Sequence, residues 1–169
     1  VVTPVFDAED KDILFYVGSR GHHADIGGIT PGSMPPFSKS VEDEGVLLDN
    51  VKLVERGVML ETDMRARLAA GRYPARNPHQ NIADLRAQIA ANEKGVQELR
   101  RMVAHFGLDL VKAYMQHVQD NAEECVRQVI GALRDGEYAY EMDNGAVIRV
   151  KISIGSDRRS ATIDFTGTS

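Results

Sequence analysis

The run Arg20-Gly21-His22-His23-Ala24-Asp25-Ile26-Gly27-Gly28 holds the densest chemistry in the chain. Two imidazoles and a carboxylate lie within four residues, and the glycines around them let the backbone bend. Imidazole nitrogen and carboxylate oxygen both suit a divalent metal such as Zn, Mn or Fe. An imidazole can equally serve as a general base near neutral pH. His22 and Asp25 are three apart, so one turn of chain can aim both at a single ion. Such a pair does not complete a metal site; further ligands are expected from Glu42, Asp43 or Glu44, or from residues beyond this fragment. Arg20 can hold a substrate carboxylate through two parallel hydrogen bonds. Plainer readings stand beside each of these. A His-His pair in a surface loop is often solvated filler, a glycine-rich loop can serve the fold alone, and an arginine is more often a surface ion pair. Spacing by itself does not choose among them.

The elements that must position this run fall in three zones, residues 1–57, 58–136 and 137–169, all read as parts of one larger domain. In the first, Val1 to Phe6 and Ile13 to Val17 are rich in β-branched and aromatic residues, and the polar Asp7 to Asp12 between them predicts a hairpin. A long glycine- and proline-rich loop then runs from Gly18 to about Ser40, a length expected of functional or disordered segments. Val46 to Val54 reads as a further strand. The second zone is helical. Glu61 to Ala70 predicts a short helix, and Asn81 reads as the cap of a long one. Ile82, Leu85, Ile89, Val96, Leu99, Val103 and Phe106 form a heptad seam with Asn92 in one slot, where a buried polar group can set register. After Gly107 the seam recurs as Leu108, Val111, Met115, Val118, Ala122, Cys125, Val129 and Leu133. Two seams joined by one glycine predict a long antiparallel helical hairpin. In the third zone Asn144-Gly145 between two apolar runs predicts a β-hairpin, with one more strand at Ala161 to Phe165. The expected class is α+β: antiparallel β segments with a protruding helical hairpin.

Bulk properties narrow the function. The chain has 169 residues, 43% of them hydrophobic, enough to bury a core. A net charge of −5 with no basic run disfavours nucleic acid or an anionic membrane as partner. No apolar stretch approaches the roughly 18 residues that span a bilayer. The lone Cys125 rules out an internal disulfide, fits a cytoplasmic setting and, on the helix seam, reads as a buried inert thiol. His105 and His117 have no ligand-spaced partner and read as structural. Gly27 to Gly32 lacks the lysine of a phosphate-binding loop and the spacing of a dinucleotide fold, and no Gly-x-Ser-x-Gly elbow is present. Nothing in the composition opposes a homo-oligomer. The absence of a starting Met and the strand-like ends lead to the expectation of an internal fragment.

Ser19 to Gly28, continuing to Pro31-Gly32-Ser33-Met34-Pro35-Pro36, resembles the hydantoinase B/5-oxoprolinase family. So do Glu44-Gly45, Arg76-Asn77-Pro78, Asn81-Ile82-Ala83-Asp84-Leu85-Arg86-Ala87-Gln88 and the ending Asp164 to Ser169. The resemblance implies an ATP-dependent cyclic-amide hydrolase. An actin-like ATP-binding hydantoinase A domain or subunit would phosphorylate the amide oxygen of 5-oxoproline or a hydantoin. This part would then hydrolyse the activated ring, giving glutamate from 5-oxoproline, and an isolated fragment would be inactive. ATP would bind the partner, not this chain. Similarity to acetone carboxylase subunits implies a divalent metal (Mn, Zn or Fe), with His22 and Asp25 as first ligand candidates and His23 and Glu44 as weaker ones. His22, His23 and Asp25 are the implied catalytic candidates, and Arg20 the substrate-binding one. A non-catalytic reading competes: the helical hairpin docks a partner subunit and the loop is incidental. A third has a metal hydrolase working without ATP.

Overall fold

The computed structural model describes residues 1–169. It divides into two compact units, Val1–Arg101 and Met102–Ser169.

In the first unit, β1 (Val2–Phe6) and β2 (Ile13–Gly18) form the expected antiparallel hairpin, with Val2 opposite Gly18 and Val5 opposite Phe15. Asp7 folds the turn: its amide donates to the Asp12 carbonyl at 2.9 Å and its carboxylate accepts the Lys11 amide at 2.8 Å. The long loop that follows has no strand or helix until α1 (Val41–Glu44). Asp43 stops the chain there by accepting the amides of Lys39 and Ser40, at 3.0 and 3.2 Å.

The strand expected over Val46 to Val54 does not form. Only two-residue β3 (Val54–Glu55) and β4 (Val58–Met59) pair. Asn50 takes a φ of 46°, which breaks an extended ladder, and Leu48, Val51 and Leu53 pack individually on the core instead. That core joins Met64 and Leu68 of α2 (Glu61–Leu68), Ala75, and Ile82 and Leu85 of α3 (Pro78–Phe106). The spacing of four on α2 and three on α3 puts each pair on one helix face.

Helix α3 starts earlier than the sequence suggests. Asn77, not Asn81, sits at the cap: its Oδ1 accepts the Gln80 amide at 3.2 Å, and Pro78 fills the first helical position, where no amide partner is needed. Asn81 is inside the first turn and 1% exposed. Asn92 is equally buried, yet it faces β1 and not a second helix. Its Nδ2 donates to the Val1 carbonyl and to Thr3 Oγ1, at 3.2 and 3.0 Å. One turn on, Gly95 allows close approach, since a Cβ there would lie 2.7 Å from Val17 Cγ1.

Helix α4 (Leu108–Ala132) follows α3 after the single residue Gly107, so the α+β class with a long helical hairpin holds. The two seams are covered unequally, however. Ile82, Leu85 and Val96 of α3 are buried in the first unit, whereas on α4 only Val111 is buried and Val118 and Val129 are 68% and 60% exposed. Cys125, on the same stripe, is therefore exposed and not buried.

The second unit ends in a meander of β5 (Gly136–Glu141), β6 (Val147–Ile154) and β7 (Ala161–Asp164), in the order β5-β6-β7. The Asp143-Asn144-Gly145 turn is a three-residue loop closed by Met142 and Ala146; only Gly145 takes a positive φ, 82°. The β6–β7 turn fastens to the end of α4. The Arg158 guanidinium donates to the Gly131 and Leu133 carbonyls, which the helix leaves without partners, and Arg159 pairs with Glu124 at 2.6 Å.

Candidate functional site

Three stretches of backbone meet at Gly27-Gly28. The Gly28 amide donates to the Tyr73 carbonyl at 3.0 Å, the Ile29 amide to the Asp43 carbonyl at 2.8 Å, and the Val46 amide to the Ile26 carbonyl at 2.8 Å. Both glycines have left-handed φ, 96° and 88°. A Cβ on Gly27 would overlap the Tyr73 carbonyl oxygen, and one on Gly28 would come within 2.7 Å of the Asp43 carbonyl oxygen. Glycine is needed here for conformation and for space together.

Asp25 is the staple of this crossing. Oδ1 accepts the amides of Gly27 and Arg76, at 2.9 and 3.2 Å; Oδ2 accepts the Gly32 amide at 3.0 Å and Arg76 Nη1 at 2.8 Å. The Arg76 guanidinium also donates to the carbonyls of Gly27 and Gly28, at 3.2 and 2.7 Å. Asn81 Nδ2 holds the Asp25 carbonyl at 2.7 Å. Burial alone would raise the Asp25 carboxyl; the amides of Gly27, Gly32 and Arg76, then the guanidinium, outweigh it and bring it from 3.8 down to about 2. The carboxylate is thus ionised and fully engaged in holding the loop.

His23 is the loop imidazole that the fold positions. Its Nδ1 lies 3.1 Å from Asp84 Oδ2 on α3, with the two side chains 13% and 29% exposed. Gln80 Nε2 donates to the other Asp84 oxygen at 2.8 Å. The His23 contact, then the Gln80 one, holds the Asp84 carboxyl below its ordinary value. The Asp84 carboxylate can only accept, so Nδ1 is the nitrogen that donates to it, and Nε2 has no protein partner. His23 lines a concavity of about 560 Å³, whose other walls include Thr3, Leu53, Leu85, Gln88 and Ile89. Gln88 backs the loop, its Nε2 being 3.4 Å from where a Cβ on Gly21 would stand.

The remaining candidates are not gathered with these. His22 and Arg20 are exposed and bond to no other side chain. Glu44 is exposed, with Oε1 accepting from Ser38 Oγ at 2.7 Å. No group of three or more His, Cys, Asp or Glu stands close enough to hold a metal ion. An ion at Asp25 would also have to displace a guanidinium bonded to the same carboxylate. The donor set as it stands does not fit a divalent cation.

The model of the family described as hydantoinase B/oxoprolinase matches residues 1–169. The chain belongs to the hydantoinase B/oxoprolinase family. It is 43% identical over 180 residues to a 5-oxoprolinase of Dictyostelium discoideum and 40% identical over 193 residues to 5-oxoprolinase 1 of Arabidopsis thaliana. These matches cover 99% and 100% of the chain, but only 14% and 15% of the two relatives. The B component of a putative D-/L-hydantoinase from a Pseudomonas species is 31% identical, over 98% of the chain and 29% of its own length. No solved structure matches. No helix is long and apolar enough to cross a membrane.

In this hydantoinase B/oxoprolinase chain, sequence reasoning attaches no role at the site to Gln80, Asp84, Gln88, Arg76 or Asn81. The signal was present. Gln80, Asp84 and Gln88 recur every four residues, which lays one polar stripe along a helix, and it is this stripe that meets the histidine loop.

Proposed function

We propose that this chain is the ring-opening part of an ATP-dependent cyclic-amide hydrolase, acting on 5-oxoproline or a hydantoin after an actin-like ATP-binding partner has phosphorylated the amide oxygen. The observation that carries the reading is the match of the whole chain to the hydantoinase B/oxoprolinase family, with 5-oxoprolinases among the relatives at 40% identity and above. The loop from Arg20 to Gly28 is the part that handles the ring. An unactivated amide is a weak electrophile with a poor leaving group; a phosphoryl group on its oxygen removes both obstacles. What is left for this part is to bring water to the ring carbon and manage its protons.

The test is turnover by the complete protein with its partner. Given ATP and 5-oxoproline, it forms glutamate and ADP, and without ATP it forms none. Glutamate formation independent of nucleotide would replace this reading with a hydrolase that needs no ATP.

One observation favours a second role for the same chain, in assembly. Met102, Phe106, Leu110, Tyr114, Met115 and Val118 line an apolar concavity of about 370 Å³ at the α3–α4 turn. Such a surface suits a protein partner. Loss of assembly with the partner in Tyr114→Asp, with loop variants assembling normally, is the result that would establish it.

A further inference from the structure

We infer that His23 and Asp84 form the proton-transfer pair of this site, His23 Nε2 exchanging protons with water and substrate in the adjoining concavity and Asp84 acting as the positioning residue. The inference rests on the functional reading above and names the group that does its chemistry.

Four observations converge on it. Of the loop's two imidazoles, only His23 is held by a second element: Nδ1 meets Asp84 Oδ2 at 3.1 Å, while His22 is exposed and unpartnered. Asp84 is itself fixed, since Gln80 one turn earlier on α3 donates to its other oxygen. A carboxylate oriented from behind selects the tautomer whose Nε2 accepts a proton. That nitrogen has no protein partner, and His23 is among the residues that line a concavity of about 560 Å³, room for a small cyclic amide and water. Finally, the loop's own carboxylate is unavailable for the task. All four of Asp25's contacts are N–H donors, so it has no acceptor function to spare.

The ring carbon enters doubly bonded to nitrogen and singly bonded to the phosphorylated oxygen. A water oxygen bonds to that carbon, the C=N π pair moves to the ring nitrogen, and the water proton passes to Nε2. The imidazolium returns this proton to the ring nitrogen. As the C–N bond breaks, the hydroxyl proton of the adduct passes by way of Nε2 to the departing nitrogen, and the ring opens to an amine and an acyl phosphate. A second water cleaves the acyl phosphate to carboxylate and inorganic phosphate, so His23 ends neutral. Asp84 gains and loses nothing; it keeps the ring oriented and favours the imidazolium while it lasts.

The experiment uses the complete protein with its ATP-binding partner, ATP and 5-oxoproline, reading glutamate. His23→Gly lowers kcat by about 10²- to 10⁴-fold, with little change in KM, and added imidazole restores turnover in proportion to its concentration. Asp84→Asn lowers kcat by about 10²-fold. In the double variant His23→Gly/Asp84→Asn, imidazole restores markedly less than in His23→Gly, because nothing then orients it. A His23→Gly enzyme with unchanged kcat overturns the inference, and so does a loss that imidazole leaves unrepaired, which would mark a structural role. Equal rescue in the single and double variants overturns the positioning role of Asp84. If the unaltered protein forms no glutamate from 5-oxoproline or product from a hydantoin, it is the functional reading that fails instead.

Discussion

Both oxygens of Asp25 hold N–H groups from three residues, so acid acts directly on the loop. Its folded carboxyl titrates at about 2, against an ordinary 3.8. A depressed folded value means that the stabilisation is complete above 3.8 and is lost as the pH falls from there through about 2. Hydrogen exchange of the complete protein, followed down that range, will show the Gly27 and Gly32 amides losing protection. Protection that persists at full strength below pH 2 would separate the loop from Asp25. Arg76 is the other half of the staple, and its planar fork reaches one carboxylate and two carbonyls. Lysine keeps the charge but cannot span all three acceptors, so Arg76→Lys is expected to cost about 1–3 kcal/mol. Denaturant midpoints of the complete protein check this, with Lys and Ala expected to be closer to each other than Lys is to Arg.

The Gly27-Gly28 crossing and the start of α3 act as elements, not as single contacts. A Cβ at Gly27 meets the Tyr73 carbonyl oxygen while the backbone is held at a φ of 96°. Gly27→Ala therefore adds a conformational cost of about 1–2 kcal/mol to a steric one, and a shift of chain at 73–74 carries Arg76 away from Asp25. Loss of stability together with a collapse in turnover is the expected outcome; full turnover at reduced stability would show that the crossing serves the fold alone. At the head of α3, Asn77→Ala removes the acceptor of the Gln80 amide, at about 1 kcal/mol. Since Gln80 also holds Asp84, the effect on turnover should exceed what that loss of stability alone would produce. A measured drop in kcat under conditions where the variant stays folded checks it.

Across the whole molecule, the two compact units differ in how much of their apolar surface is covered. The first has a core around Leu68 and Ile82, 0% and 2% exposed, and Leu68→Ala there should cost about 2–5 kcal/mol. In the second, α4 leaves Val118, Val126 and Val129 more than half exposed, and Tyr138 and Tyr140 of β5 are exposed as well. Val118→Asp and Val129→Asp should therefore leave thermal unfolding almost unchanged while weakening any association that uses this stripe, as sedimentation of the complete protein with its partner would show. A large drop in melting temperature without altered assembly would place those valines in a folded core instead.

Local chemistry wrote much of this chain directly into its sequence. β-Branched runs around Asp7 to Asp12 specified the first hairpin, heptad spacing specified two long helices broken at Gly107, and the run from Arg20 to Gly28 marked a bendable loop carrying two imidazoles and a carboxylate. These signals are short-range: propensity, periodicity and turn chemistry act within a few residues. What the loop's side chains do was settled over long separations, because hydrogen-bond partners are chosen by which segments pack together. Asp25 found Arg76 fifty-one residues away and became a staple; His23 found Asp84 sixty-one residues away and became the oriented imidazole. For the same reason Ile82, Leu85 and Asn92 of the α3 stripe came to pack on α2 and β1, since periodicity defines a sticky face but not the surface that covers it.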